Sequence, residues 1–232
     1  MDAAWKFIES LPAKAQRACL PIWVECIQHS DCYTADYDRL IRILDDIGDR
    51  RAVPPLVHIV TWTYQNPDRC DYDTTRLAAK ALGNLGDARA VDSLGMLLTS
   101  LTGDESRPPR ESDALVSTIE ALGKIGDRKA LEPLLKCVMA FSNADWFVRY
   151  EPVMKQLGHA LFEIDSKRAM VLLKTKYQPK ESHGLLLTLA YAHQSDVVPL
   201  LVRRISAYGE DSSEGVSWFS GNWNSAWSAL AS

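Results

Sequence analysis

Apolar side chains recur at intervals of three and four residues along most of this chain, which is the spacing of one face of an α-helix. The pattern is clearest between residues 77 and 101, where a short polar turn separates two apolar stripes. The stripes comprise Leu77, Ala78, Ala81, Leu82 and Leu85, and then Ala90, Val91, Leu94, Leu97, Leu98 and Leu101. Because a half-buried strand would alternate with a period of two, the pattern predicts pairs of amphipathic helices and an all-α fold.

One fourteen-residue phrase recurs along the chain. Its three copies span residues 43–56, 81–94 and 121–134. The glycine that precedes an aspartate in each copy (Gly48, Gly86 and Gly126) marks the phase, and these glycines stand 38 and 40 residues apart. A nearly constant period in this range predicts a helical solenoid, in which each two-helix unit buries its apolar stripes against its neighbours.

The glycine and the aspartate that follows it predict a turn between the two helices of each unit. Glycine tolerates the left-handed backbone that ends a helix, and aspartate can cap the amides at the start of the next. The predicted turn residues are Gly48, Gly86, Gly126, Asp49, Asp87 and Asp127. Proline near the start of the second helix, at Pro55 and Pro133, predicts a kinked or tightened first turn.

The phrase resembles the HEAT-like repeat, in the subtype named after phycobilisome lyases, whose units read Ala-Leu-Gly-x-Ile/Leu-Gly-Asp-x-Arg/Lys-Ala. The resemblance implies a right-handed α-α superhelix, an armadillo-type α solenoid, with about five to six helix pairs and the second helices lining its concave face. It does not imply lyase activity, because the residues of the motif turn and pack the chain.

The whole chain, residues 1–232, is predicted to be a single repeat domain. Its predicted parts are an N-terminal capping repeat at 1–30, repeats at 31–205 and an aromatic C-terminal cap or tail at 206–232. In the capping repeat Ile22 aligns with Leu56, and a weaker fourth unit has Asp165 where the others have the phase-marking glycine.

Composition and motifs limit the function. The net charge of −4 disfavours nucleic acid as the main partner, and no apolar run approaches the roughly 20 residues of a membrane span. Five cysteines at irregular spacings are typical of reduced thiols, which predicts a cytoplasmic protein. Cys26, His29 and Cys32 are spaced like metal ligands but have no suitable fourth ligand, so no metal site is predicted. With no catalytic or nucleotide-binding motif, the sequence favours a protein without catalytic residues or cofactors.

A basic residue recurs three positions after the phase marker. The members of this column are Arg17, Arg51, Arg89, Lys129 and Arg168. Because a cation in the first turn of a helix opposes the helix dipole, the column needs an explanation. In one, each cation pairs with the capping aspartate of the next unit, such as Arg51 with Asp87 and Arg89 with Asp127. In the other, the column is a basic stripe for an acidic partner.

The leading functional hypothesis is a scaffold or adaptor that binds a protein or peptide on its concave face. The predicted partner-binding residues are Arg51, His58, Trp62, Met96, Lys136, Tyr72 and Trp146. One alternative is a bilin lyase or a protein that handles another small-molecule pigment, as the repeat subtype suggests. Another is a nucleic-acid repair enzyme similar to the HEAT-like alkylpurine glycosylases, which have a basic groove that the charge of this chain does not match.

Overall fold

The described part of the chain is helical. The computed structural model describes residues 6–8, 10–28, 35–103, 112–142 and 151–176, and each element of regular secondary structure in these ranges is a helix. The α-helices are α1 (Ala13–Gln28), α2 (Ala35–Ile47), α3 (Val53–Gln65), α4 (Tyr72–Leu85), α5 (Val91–Thr102), α6 (Ser112–Ile125), α7 (Leu131–Ser142) and α8 (Glu151–Lys176). Residues 6–8 and 10 are also helical. The predicted all-α fold is confirmed for these ranges.

The helices α2, α4 and α6 each end at a glycine with a left-handed backbone. The angle φ is 64° at Gly48, 61° at Gly86 and 71° at Gly126. Each glycine amide donates to the carbonyl four residues earlier, with an N···O distance of 3.2 Å. Since this conformation strains any residue with a Cβ, the recurring glycine determines where these helices end.

The aspartate after each glycine caps the next element. In each turn a carboxylate oxygen accepts from the backbone amide two residues later, at 2.9 Å from Arg51 to Asp49, 3.0 Å from Arg89 to Asp87 and 2.8 Å from Lys129 to Asp127. The capped element is one turn of 3₁₀-helix, formed by Arg50–Ala52, Ala88–Ala90 and Arg128–Ala130. The α-helix of the second element starts directly after it.

Proline is not the cause of the 3₁₀ turn. Pro54 and Pro55 lie in the first turn of α3, and Pro133 lies in the first turn of α7. The helix α5 follows the same 3₁₀ turn but has Ser93 at this position. The first amides of α3, α5 and α7 donate to carbonyls of the 3₁₀ turn, those of Val53, Val91 and Leu131 to Arg50, Ala88 and Arg128 respectively. The tightened turn is therefore present with and without proline, so proline does not cause it, and kinking by proline stays a prediction.

The helices pack in two layers. The helices α2, α4, α6 and α8 contact one another in chain order, and α3, α5 and α7 do the same. Each of α3, α5 and α7 also packs against the helix that follows it, which belongs to the next unit. The buried side chains of both layers form one hydrophobic cluster between Leu20 and Ala169. No unit therefore buries its apolar surface alone, as expected for stacked repeats.

The first glycine of the phrase, Gly83 or Gly123, permits close approach of the first helices. A Cβ built on Gly83 would lie 2.7 Å from the Cα of Ala121, and one on Gly123 would lie 3.0 Å from the Cα of Ala160. These contacts are to backbone atoms, so relief would require α4, α6 and α8 to move apart. The sequence pattern alone gives no role to this glycine, because the alanine that it contacts belongs to another unit.

The N-terminal segment packs in a different register from the one predicted. Ile22 is 61% exposed, whereas Leu56, with which it was aligned, is fully buried. The buried residues of α1 are instead Leu20, Trp23 and Ile27. The predicted equivalence of Ile22 and Leu56 is therefore wrong, although α1 does pack against α2 and α3.

The fourth unit replaces the glycine turn with an aspartate. Asp165 interrupts α8 with an extended backbone, at φ −167° and ψ 91°. Its carboxylate accepts from the backbone amide of Arg168 at 3.0 Å. In the earlier units the aspartate that caps the equivalent amide stands directly after the phase-marking glycine, whereas Asp165 stands at the glycine position itself. The same amide is thus capped without a left-handed glycine.

Other expectations concern regions beyond these. The predicted repeats beyond residue 176, the segment 206–232 and Trp146 lie outside the described residues, and the division into parts stays a prediction. Within the residues that the structure places, no helix is both long enough and apolar enough to cross a membrane.

Candidate functional site

Three exposed side chains occupy the same position on successive second helices. His58, Met96 and Lys136 each stand ten residues after the turn glycine, on α3, α5 and α7 respectively. All three are exposed, and Met96 has 57% of its surface open to solvent. We call these three residues the exposed column.

The helical period explains why the column faces outward. The neighbours of Met96 along α5, Leu94, Leu97 and Leu98, are fully buried, which turns the intervening residue to the opposite side. Because α3 packs on α5 and α5 on α7, the equivalent residues of the three helices form a row across the layer. An aliphatic thioether, an imidazole and an ammonium group in one row give a surface of mixed chemistry.

Trp62 lies one turn beyond His58 on α3. It is half-buried, so part of its indole is accessible beside the column and part packs within the protein. A large aromatic side chain with one accessible side is a typical interface anchor.

The other predicted site residues lie apart from the column. Arg51 lies in the turn before α3. Half-buried Tyr72 is the first residue of α4, at the end of that helix away from its glycine turn. The Tyr72 hydroxyl donates to the carbonyl of Pro67 at 3.1 Å. The structure thus brings together His58, Met96 and Lys136, with Trp62 nearby, but not Arg51 or Tyr72.

The predicted pairing of Arg51 with Asp87 and of Arg89 with Asp127 is wrong. Arg51 donates from Nε and Nη2 to the two carboxylate oxygens of Asp49, at 3.0 and 2.7 Å. Arg89 makes the same two-pronged contact with Asp87, at 3.0 and 2.8 Å. The cation is held by the cap of its own turn, because the two residues are only two positions apart. The negative charge of the paired aspartate also offsets the unfavourable interaction between the cation and the helix dipole.

Near these turns, contacts between successive units are made by a backbone carbonyl and by a different basic residue. The Nη2 of Arg89 also donates to the backbone carbonyl of Arg50 in the preceding unit, at 3.2 Å. Arg128, one position earlier in the phrase than Lys129, forms a 3.0 Å ion pair with Asp165 of the following unit.

The paired arginines keep the capping carboxylates ionised. The side-chain hydrogen bonds from Arg51 lower the pKa of Asp49 to about 2, and those from Arg89 lower the pKa of Asp87 to about 2. The backbone amide that each carboxylate caps adds to this effect, whereas desolvation opposes it. Both caps are therefore charged throughout the physiological pH range.

A chain of polar side chains crosses three units on the first helices. Asn84 donates from Nδ2 to both carboxylate oxygens of Asp45, at 2.9 and 3.1 Å, and its Oδ1 accepts from Lys124 at 3.2 Å. Lys124 also forms a 2.8 Å ion pair with Glu120. Sequence analysis missed this chain. Comparing the polar residues two and three positions before each glycine would have indicated it.

A shallow cleft opens at the start of α4 and α6. Its volume is about 270 Å³, and it is lined by Cys70, Asp71, Tyr72, Asp73, Arg76, Asp113 and Ala114. The carboxylate of Asp71 is engaged, because it accepts from the amide of Asp73 at 3.0 Å and from the hydroxyl of Thr74 at 2.9 Å.

The described ranges hold no group of three or more histidine, cysteine or acidic side chains placed to bind a metal ion. His29 and Cys32 lie outside these ranges, so the spacing noted in the sequence is not tested. Cys137 is buried, and desolvation raises the pKa of its thiol to about 12 although a hydrogen bond from Thr102 opposes the rise.

Comparison with known proteins agrees with the repeat geometry. The model of the PBS lyase HEAT-like repeat matches residues 76–100 and 115–138, which correspond to the second and third units. A search of curated proteins finds no match. The matched segments contain two of the three glycine turns, at Gly86 and Gly126, with their capping aspartates, and both residues of the Gly83–Ala121 contact. Residues 76–138 of this chain are therefore PBS lyase HEAT-like repeats.

Proposed function

We propose that this protein is a scaffold or adaptor that binds a protein or peptide partner on its layer of second helices. The observation that carries the proposal is the exposed column, in which His58, Met96 and Lys136 occupy equivalent outward positions on a shared frame. The turn residues are nearly the same from unit to unit, whereas the column differs in each unit. Such variation on a repeated frame suits recognition of one particular partner.

The shape that we propose is a right-handed α-α superhelix of about five to six helix pairs, with the second helices on its concave face. The two-layer packing of successive helices supports this shape. A concave layer would let one extended partner contact the column on several units at once. Trp62 would anchor it, since partly accessible tryptophan contributes strongly to binding.

The exposure of Met96 adds to this proposal. The contact of this apolar side chain, 57% exposed, with water is unfavourable. Methionine is also flexible enough to adapt to an apolar partner surface. His58 and Lys136, one unit to each side, add hydrogen-bond donors that would orient the partner.

The test is affinity capture from a lysate of the source organism, followed by binding measurements with the purified partner. Wild type is compared with a His58→Ala/Met96→Ala/Lys136→Ala variant and with an Arg42→Ala/Lys80→Ala control, which changes exposed first-helix residues. We expect wild type and the control to bind and the column variant to lose at least about tenfold in affinity, the effect of removing about 1.4 kcal/mol. A partner that binds all three proteins equally would place the site elsewhere and contradict the proposal.

A second candidate is a bilin lyase or a pigment-handling protein, which the name of the matched family favours. The matched residues are occupied in turning the chain and packing the helices, so the match supports a scaffold better than a lyase. Co-production with a bilin separates the two. A covalently coloured protein would establish the lyase function, and a colourless one would leave the scaffold as the better explanation.

A further inference from the structure

The basic residues at the turn end of the units form a second surface, separate from the exposed column. We call Arg51, Arg89, Arg128 and Lys129 the turn-edge strip. The side chains of the three arginines are 61%, 60% and 70% exposed, in that order. The carboxylates with which they pair are more covered, at 25% for Asp49, 11% for Asp87 and 17% for Asp165. The outer surface of this edge is therefore cationic even though each arginine is paired.

Each arginine keeps donors that its pair does not use. A guanidinium has five N–H groups, and Arg51 directs two of them to Asp49. Arg89 directs two to Asp87 and a third to the carbonyl of Arg50. Nη1 of both arginines has no hydrogen-bond partner among the described residues, and the aspartate holds each guanidinium plane in a fixed direction. A pre-oriented fork loses less entropy when it binds a carboxylate.

The spacing of the strip selects the form of the ligand. Stacked helices lie about 8–10 Å apart, so we expect equivalent cations of successive units (Arg51, Arg89 and Lys129, with Arg128 next to the last) to recur at about 10 Å. A polyproline II peptide has three residues per turn and rises about 3.1 Å per residue. Every third side chain of such a peptide points the same way and recurs at about 9 Å. An acidic residue at every third position would therefore meet one unit after another.

We propose that the turn-edge strip binds an extended acidic protein segment with a carboxylate at every third residue. Its carboxylates accept from the outward N–H groups of Arg51, Arg89 and Arg128, and Lys129 adds an ammonium group. Nucleic acid fits less well, because the capping aspartates lie directly behind the cations and the whole chain carries a net charge of −4. The strip lies at the turn end of the units, so this inference does not depend on the proposed function of the exposed column.

The experiment uses fluorescence anisotropy with labelled twelve-residue peptides and the full chain. The probe has glutamate at every third position with proline and alanine between, and a control of the same composition has its four glutamates adjacent. We expect the spaced peptide to bind more tightly than the clustered one, and its affinity to fall as salt is added.

Two variants and a matched control locate the site. Arg51→Ala/Arg89→Ala/Arg128→Ala should weaken binding of the spaced peptide by about tenfold, since each exposed ion pair contributes a modest amount. Arg51→Lys/Arg89→Lys/Arg128→Lys keeps the charge but removes the fork, so it should also weaken binding. This lysine variant tests the proposal if circular dichroism shows that the alanine variant does not fold. The column variant His58→Ala/Met96→Ala/Lys136→Ala should bind the spaced peptide like wild type.

Several results would overturn the proposal. These are no binding of the spaced peptide by wild type at millimolar concentration, equal binding of the clustered peptide, and no loss in a folded arginine variant. Tighter binding of a single-stranded oligonucleotide than of the spaced peptide would also overturn it, in favour of a nucleic-acid surface.

Discussion

The two helix layers are built from similar apolar residues but differ in how closely their backbones approach. In the first-helix layer, Gly83 and Gly123 lie against the Cα atoms of alanines in the next unit. In the second-helix layer, the closest comparable contact is from Gly95 to the ring of Pro133, a side chain. The first layer therefore sets the distance between units. The second layer has room for its outer residues to vary, which is where the exposed column lies.

The largest effect is expected from a change in the first-helix layer. Gly83→Ala places a Cβ 2.7 Å from the Cα of Ala121 and should lower the free energy of unfolding by about 3 kcal/mol, at the upper end of overpacking effects. The sign is the critical result, because the same change in an unconstrained helix raises stability by about 1 kcal/mol. Urea unfolding followed by circular dichroism measures it.

The matched control is Gly95→Ala in the second-helix layer. Its Cβ would lie 3.0 Å from the Cγ of Pro133, so a small shift of the ring can relieve the contact and the loss should be smaller. A stabilised Gly83→Ala variant, or a larger loss at Gly95, would contradict the difference between the layers.

A smaller effect is expected at the turn. A Cβ at Gly86 would meet nothing within 4 Å, but φ there is 61°, so Gly86→Val should lower the free energy of unfolding by about 2 kcal/mol through backbone strain. Gly86→Asn should lose less, since asparagine tolerates this conformation. Thermal unfolding of both variants tests the assignment, and equal stability of Gly86→Val and wild type would show that the turn does not depend on glycine.

The capping aspartate should contribute less to the free energy of unfolding than the turn glycine does. Asp87→Ala removes the acceptor of the Arg89 amide and should cost about 1 kcal/mol. Asp87→Asn keeps an oxygen that can accept and should cost less, so the difference between the two variants isolates the cap from the ion pair. Chemical unfolding curves of the two proteins give this difference. A greater loss for asparagine than for alanine would count against a capping role.

The smallest effect concerns pH. The pKa values of Asp49 and Asp87 are about 2 in the folded protein, below the value of about 3.9 of an unperturbed aspartate. A lowered folded-state pKa stabilises the fold above the unfolded value, and this contribution disappears as the pH falls from about 4 to about 2. An Asp49→Asn/Asp87→Asn variant should therefore lose less stability than wild type across this interval. Melting curves from pH 5 to pH 2 would test this, and equal losses would contradict it.

The sequence was most informative where a local rule decides the structure. The left-handed backbone of Gly86 and the capping by Asp87 depend on residues within one turn of the chain. Periodicity likewise predicted the helices, and it selected His58, Met96 and Lys136 as outward residues.

Sequence analysis failed where two plausible partners competed. The sequence pattern predicted Asp87 of the next unit as the partner of Arg51, whereas the bidentate pair forms with Asp49, two positions away. The buried face of α1 was predicted in the wrong register because few residues of that segment match the phrase.

The sequence by itself determined the helices, the turns between them and the repeat that makes each unit equivalent to the next. Those features follow from backbone preferences and from an apolar period that is written in consecutive residues. The tertiary structure alone decided that Gly83 must lack a side chain, because its neighbour Ala121 belongs to another unit. It also decided that Arg128 forms an ion pair with Asp165 of the following unit. Distances between units depend on the packing of whole helices, and no single stretch of residues encodes them.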